Sequence, residues 1–128
     1  MSATFDTGML IALDRNEREA WVVLRRLVGR GEVPTVPTVV TAQAWRDGHR
    51  QAQLARALGE CRPEPLGDEL AGRGGELCGR SATSDVVDAI VSESAAARGD
   101  DIYTGDAGDL EHLVAHLSRP VAIVPIGN

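Results

Sequence analysis

Short β-tolerant segments alternate along this chain with stretches of helical period, and that alternation restricts the fold more than any other feature. Residues 3–5, 33–36, 101–104 and 121–126 read as strands. Residues 62–66 carry Pro63 and Pro65, so they suit only an edge strand or an extended loop, because proline cannot donate to a ladder. Between these segments the spacing predicts helices over 16–28, 38–47, 50–58, 68–78, 85–98 and 109–117. In the first of them Ala20, Trp21, Leu24, Leu27 and Val28 share one face, with Arg18, Glu19, Arg25 and Arg26 opposite. Strands separated by helices imply an α/β fold: a parallel sheet with helices on both faces. Ligands of such sheets bind beyond the carboxyl ends of the strands, so the residues just after each strand are the ones to inspect.

A length of 128 residues leaves room for one domain, 1–128. All 13 basic residues are arginine. Without lysine there is no P-loop and no Schiff-base chemistry. The net charge of −6 argues against coating nucleic acid through a basic surface, but not against meeting phosphates through bound metal. Cys61 and Cys78 lack metal-ligand spacing and read as reduced core thiols. Asp6 stands where a signal peptide would carry positive and then apolar residues, and no apolar run approaches the ~18 residues of a membrane span. A soluble, cytoplasmic chain with no membrane partner is expected.

The chemistry-bearing residues are acids at strand ends. Asp6 follows the first strand; Asp106 and Asp109 follow the fourth. Asp85, Asp88 and Ser92 share one face of the 85–98 helix, roughly opposite a core stripe of Val87, Ile90, Val91 and Ser94. Singly, each is an ordinary cap or turn residue. If the first and fourth strands are neighbours, these acids make a like-charge cluster that a divalent cation would relieve. Oxygen ligands without cysteine or histidine suit Mg2+ or Mn2+. His112 and His116, four apart on the last helix, lack a third ligand and read as a solvated face. The segment Gly72-Arg73-Gly74-Gly75 reads as irregular helix rather than a phosphate loop.

The order of these motifs resembles the PIN-domain ribonucleases, in particular the VapC-type toxins of bacterial toxin–antitoxin pairs. The resemblance rests on Phe5-Asp6-Thr7, the stretch from Val36 to Arg46, Asp85-Val86-Val87-Asp88-Ala89-Ile90, and Thr104-Gly105-Asp106 with Asp109. It spans essentially the whole chain. It implies a PIN-like three-layer fold with a parallel sheet of about five strands in the order 3-2-1-4-5, which would set Asp6 beside Asp106. It further implies a Mg2+- or Mn2+-dependent endoribonuclease leaving 5′-phosphate and 3′-hydroxyl ends, with Asp6, Asp88 and Asp106 as the metal-binding catalytic acids and Asp109 as a further, less constant one. A homodimer is implied, as is a cognate antitoxin whose basic C-terminal segment enters the acidic site.

One position departs from the pattern. Gln43 stands where relatives usually carry glutamate. Its carbonyl can still meet a metal or hold a metal-bound water, but it brings no charge. Asp85, one turn before Asp88, is the nearest acid to make up the difference. Arg46 shares a face with Gln43, where it would either touch an RNA phosphate or serve as an ordinary surface arginine. A receiver domain and a haloacid-dehalogenase-type phosphatase are excluded by the missing lysine, and the latter also by Gly8 in place of a second aspartate. The alternative that stays open is a degenerate PIN domain that binds RNA or a protein without cutting, on the strength of Gln43.

Overall fold

The computed structural model describes residues 2–126. Five strands, β1 (Ala3–Phe5), β2 (Thr35–Pro37), β3 (Arg62–Glu64), β4 (Asp101–Thr104) and β5 (Ile123–Pro125), form one sheet in the order β3-β2-β1-β4-β5. Every pairing is parallel, with Phe5 opposite Tyr103 and Thr4 opposite Thr35. The proline-bearing β3 lies at an edge, where its missing donor costs nothing. The chain steps outward from β1 to β2 and β3, then crosses back to β4. The order therefore reverses between β1 and β4, which opens a crevice beyond their carboxyl ends.

Among the described residues seven helices accompany the sheet: α1 (Thr7–Asp14), α2 (Arg18–Gly29), α3 (Thr38–Ala44), α4 (Ala52–Leu58), α5 (Asp68–Ser81), α6 (Val86–Arg98) and α7 (Gly108–Val114). Helix α1 is absent from the helices that the sequence pattern predicts. Met9, Leu10, Ala12 and Leu13 are all buried, so the helix has little polar face and no amphipathic period. Other boundaries move by a few residues. The expected start of α2 at Asn16 shifts to Arg18 because Asn16 adopts a left-handed φ of 58°. Helix α3 stops at Ala44 rather than 47, since Trp45 turns extended and the buried Gln51 side chain accepts from the N–H groups of Arg46 and Asp47. Helix α5 runs on to Ser81 through its glycines. Gly74 there lies so close to α6 that a Cβ would come within 2.7 Å of Ile90 Cγ1, so this glycine serves helix packing.

The main core gathers Phe5, Met9, Leu10, Leu13, Leu24, Leu27, Val36, Leu54 and Ile102; a smaller one joins Leu77, Ala89 and Leu113 between α5, α6 and α7. The pleat sends Thr4 to the face opposite Phe5. There, a polar network ties α6 to the sheet. Arg98 donates from Nε to Asp100 (2.9 Å), from Nη1 to Glu64 (2.8 Å) and from Nη2 to Thr4 (2.7 Å). Thr4 in turn donates to Asp100 (2.8 Å), and Ser94 donates to Glu64. This anchors the carboxyl end of α6 to β1 and β3, and its amino end, with Asp85 and Asp88, meets the crevice.

Candidate active site at the carboxyl ends of β1 and β4

The ladder between β1 and β4 continues one step past Phe5: the Asp6 N–H donates to the Tyr103 carbonyl (3.3 Å). This sets Asp6 beside Thr104, the last residue of β4. Asp6 is only 4% exposed. Its Oδ1 accepts from the Met9 N–H (2.8 Å) and caps α1, while its Oδ2 accepts from the Thr104 hydroxyl (2.5 Å). The same Thr104 oxygen accepts from the Asp106 N–H (2.9 Å), so one buried hydroxyl fixes both acids. Asp106 is exposed, and its Oδ1 accepts from the Gly108 N–H (3.2 Å). Two glycines permit the approach of these loops: a Cβ on Gly105 would stand 2.9 Å from the Gly8 carbonyl oxygen.

Helix α6 brings the second group. Asp85 is its N-cap, accepting from the Asp88 N–H (3.2 Å). Asp85, Asp88 and Asp109 each offer a carboxylate oxygen, all within 4.8 Å of one another. The two groups feel each other. Burial pushes Asp6 from its ordinary value of 3.8 up to about 6, against the lowering effect of its Thr104 and Met9 hydrogen bonds, and the charge of Asp106 adds to the rise. Asp88 goes up to about 7, first through burial, then through its hydrogen bond and charge contact with Asp85, then through the charges of Asp6 and Asp109. Asp88 is thus the acid on which both groups bear. Among the described residues, Asp85, Asp88 and Asp109 come together as a carboxylate trio because Asp85 and Asp88 are one helical turn apart and α7 starts alongside them.

The other candidates fall around this cluster or away from it. Gln43 accepts the Thr7 hydroxyl hydrogen at Oε1 (2.5 Å), one residue from Asp6, so its carbonyl is already engaged. Arg46 folds back on the end of α3 and donates from Nη1 to the Ala42 and Trp45 carbonyls (3.0 and 2.7 Å), which satisfies helix-terminal acceptors. His112 pairs through Nε2 with the Ser81 carbonyl (2.6 Å), and His116 through Nδ1 with the His112 carbonyl, so the two do not pinch a common point. Both cysteines are free; burial pushes the Cys61 thiol up to about 12, which leaves it a poor nucleophile. Sequence reasoning missed Thr104 and Thr7 as organisers of the site. Both threonines stand beside an acid in the motifs Phe5-Asp6-Thr7 and Thr104-Gly105-Asp106, and that adjacency is the signal the sequence offered.

No protein-family model and no curated protein matches the sequence. Solved structures do match. A chain of the VapBC2 complex of Rickettsia felis, bound to a promoter DNA fragment, superposes with a TM-score of 0.72 at 13% identity, covering 98% of each chain. A toxin–antitoxin complex from Klebsiella pneumoniae gives 0.70 at 20% identity and 95% of each chain. VapC20 of Mycobacterium tuberculosis, a toxin that cleaves the sarcin–ricin loop, gives 0.64 at 20% identity, covering 92% of this chain and 99% of its own. With its parallel sheet in the order β3-β2-β1-β4-β5, this chain has a PIN-like α/β fold that matches the VapC structures.

Proposed function

We propose that the chain is the ribonuclease toxin of a toxin–antitoxin pair, a Mg2+- or Mn2+-dependent endonuclease that hydrolyses RNA phosphodiesters. The observation that carries this reading is the convergence of Asp6, Asp85, Asp88, Asp106 and Asp109 at the reversal point of the sheet, where burial and mutual repulsion hold two of the five partly protonated. A set of carboxylates without histidine or thiol fits a hard, oxygen-preferring cation. In this reading Asp6, Asp88 and Asp106 are the principal ligands, with Asp109 and Asp85 adding charge. A divalent ion held there supplies positive charge for the phosphodiester and acidity for a water. Thr104 keeps the Asp6 carboxylate in one orientation, and Thr7 does the same for the Gln43 amide. The likeness to VapC20 and to chains of two toxin–antitoxin complexes supports the same assignment. By that likeness, the partner is a cognate antitoxin with a basic C-terminal segment that enters the acidic crevice, and the chain works as a homodimer in the cytoplasm. No helix among the described residues is long and apolar enough to cross a membrane.

Gln43 favours a second reading, a degenerate domain that binds RNA or a partner without cutting, because its neutral carbonyl is taken by Thr7. Purified protein incubated with total RNA in Mn2+ and in EDTA separates the two. The proposed function expects Mn2+-dependent cleavage that falls by about 10²-fold or more in Asp6→Asn. Undiminished cleavage by Asp6→Asn overturns the site. Mn2+ binding with no cleavage of any RNA establishes the degenerate reading.

A further inference from the structure

An acidic crevice cannot by itself hold a polyanion; the phosphates flanking a scissile bond need cations nearby. Residues 15–30 hold five arginines against two glutamates, in a chain whose net charge is −6. A surface hollow of about 360 Å³ opens at Asp106 and Gly105, runs past Gly8 and Ile11, and reaches Arg15. Its Ile126 also borders a second hollow lined by Arg18, Val22 and Arg26, and the same three residues border a third. The three hollows thus follow one another from the acid cluster along α2, each sharing lining residues with the next. Arg15, Arg18 and Arg26 make no ion pair among the described residues, whereas Arg25 is held by Glu60 and Arg98 by Glu64 and Asp100. Ile11 and Val22 are 37% and 41% exposed along the track, so apolar surface alternates with cations. Arg18 and Arg26 stand about 12 Å apart along the helix axis, far enough to meet different phosphates.

We propose that this track binds single-stranded RNA leading away from the acid cluster, with Arg15, Arg18 and Arg26 contacting phosphates and Ile11 and Val22 packing on sugars or bases. The identity of the polyanion rests on the ribonuclease reading. Glu17 and Glu19 line the same hollows and weaken the field without reversing it.

The test is binding of a fluorescein-labelled, unstructured 15-nucleotide RNA by fluorescence anisotropy in EDTA, across a salt series, so that it does not depend on cleavage. Replacing Arg15, Arg18 and Arg26 by alanine is expected to raise Kd at least tenfold. It should also flatten the slope of log affinity against log salt by about 2, since each phosphate contact to a single strand contributes ~0.7. Glu17→Gln with Glu19→Gln should tighten binding, a gain that no folding defect can imitate. Unchanged Kd and slope in the alanine variant overturn the track even if the wild type cleaves RNA. Arginine-dependent binding by a protein that cleaves nothing keeps the track and removes the ribonuclease. If the alanine variant keeps its RNA affinity but loses a purified antitoxin, the track belongs to a protein partner and the proposal falls.

Discussion

The hydroxyl of Thr104 donates to Oδ2 of Asp6 across 98 residues of sequence, and its oxygen accepts the N–H of Asp106. One buried side chain at the end of β4 therefore sets the orientation of the acid that follows β1 and of the turn that carries another. The hydroxyl also opposes the rise of the Asp6 pKa caused by burial.

Thr104→Val keeps the shape and removes the donor. Asp6 should then protonate at a higher pH than its present value of about 6. The acid limb of a pH profile of Mn2+ binding should move upward, with affinity at neutral pH lowered roughly tenfold, as for other partners of metal ligands. An unmoved limb would show that Thr104 only packs.

The metal-free protein should lose stability as pH rises. Asp6 and Asp88 carry folded pKa values of about 6 and about 7 against an ordinary 3.8. Between about pH 4 and pH 7 the folded state therefore binds more protons than the unfolded one, and stability falls with pH through that window. Thermal melts in EDTA at pH 5 and pH 7.5 read the difference. Asp88→Asn, which removes the charge and can still donate to Asp85, should flatten it and raise the melting temperature at pH 7.5. Added Mn2+ should stabilise more at pH 7.5 than at pH 5, because its ligands must be ionised.

Arg98→Ala should destabilise the fold by about 3–5 kcal/mol, because it strands the buried Asp100 and the Glu64 carboxylate without their cation. Urea unfolding measures the loss. Arg98→Lys should recover only part of it, since an ammonium cannot reproduce the three directed contacts to Asp100, Glu64 and Thr4.

Asp85 both caps α6 and stands within 4.8 Å of Asp88 and Asp109. If it also supplies the charge absent at Gln43, Asp85→Asn weakens Mn2+ affinity and Gln43→Glu restores much of it in the double mutant. A pure cap would cost about 1 kcal/mol of stability and leave the metal untouched. Isothermal titration with Mn2+ on the two single mutants and the pair decides between them.

The sequence by itself carried the strand–helix alternation, the parallel sheet with a proline-bearing edge, and the positions of all five acids, because period and turn chemistry are local properties of the chain. Helix α6 and strand β4 were legible almost to the residue: Gly99 closes the helix in a left-handed conformation (φ 72°), and an alternating burial pattern marks the strand. Helix α1 was hidden because burial of Met9, Leu10, Ala12 and Leu13 erases the polar face on which a helical period depends. Tertiary structure alone decided which acids share a pocket. The distances among Asp85, Asp88 and Asp109 follow from how α7 docks beside α6, and the bond between Thr104 and Asp6 from strand register. The arginine-rich run over residues 15–30 is likewise legible in the sequence, whereas the hollows that connect it to Asp106 are visible only in the fold. A net −6 says nothing about the arginines gathered along α2, because net charge sums over the chain whereas a phosphate meets only the side chains within a Debye length.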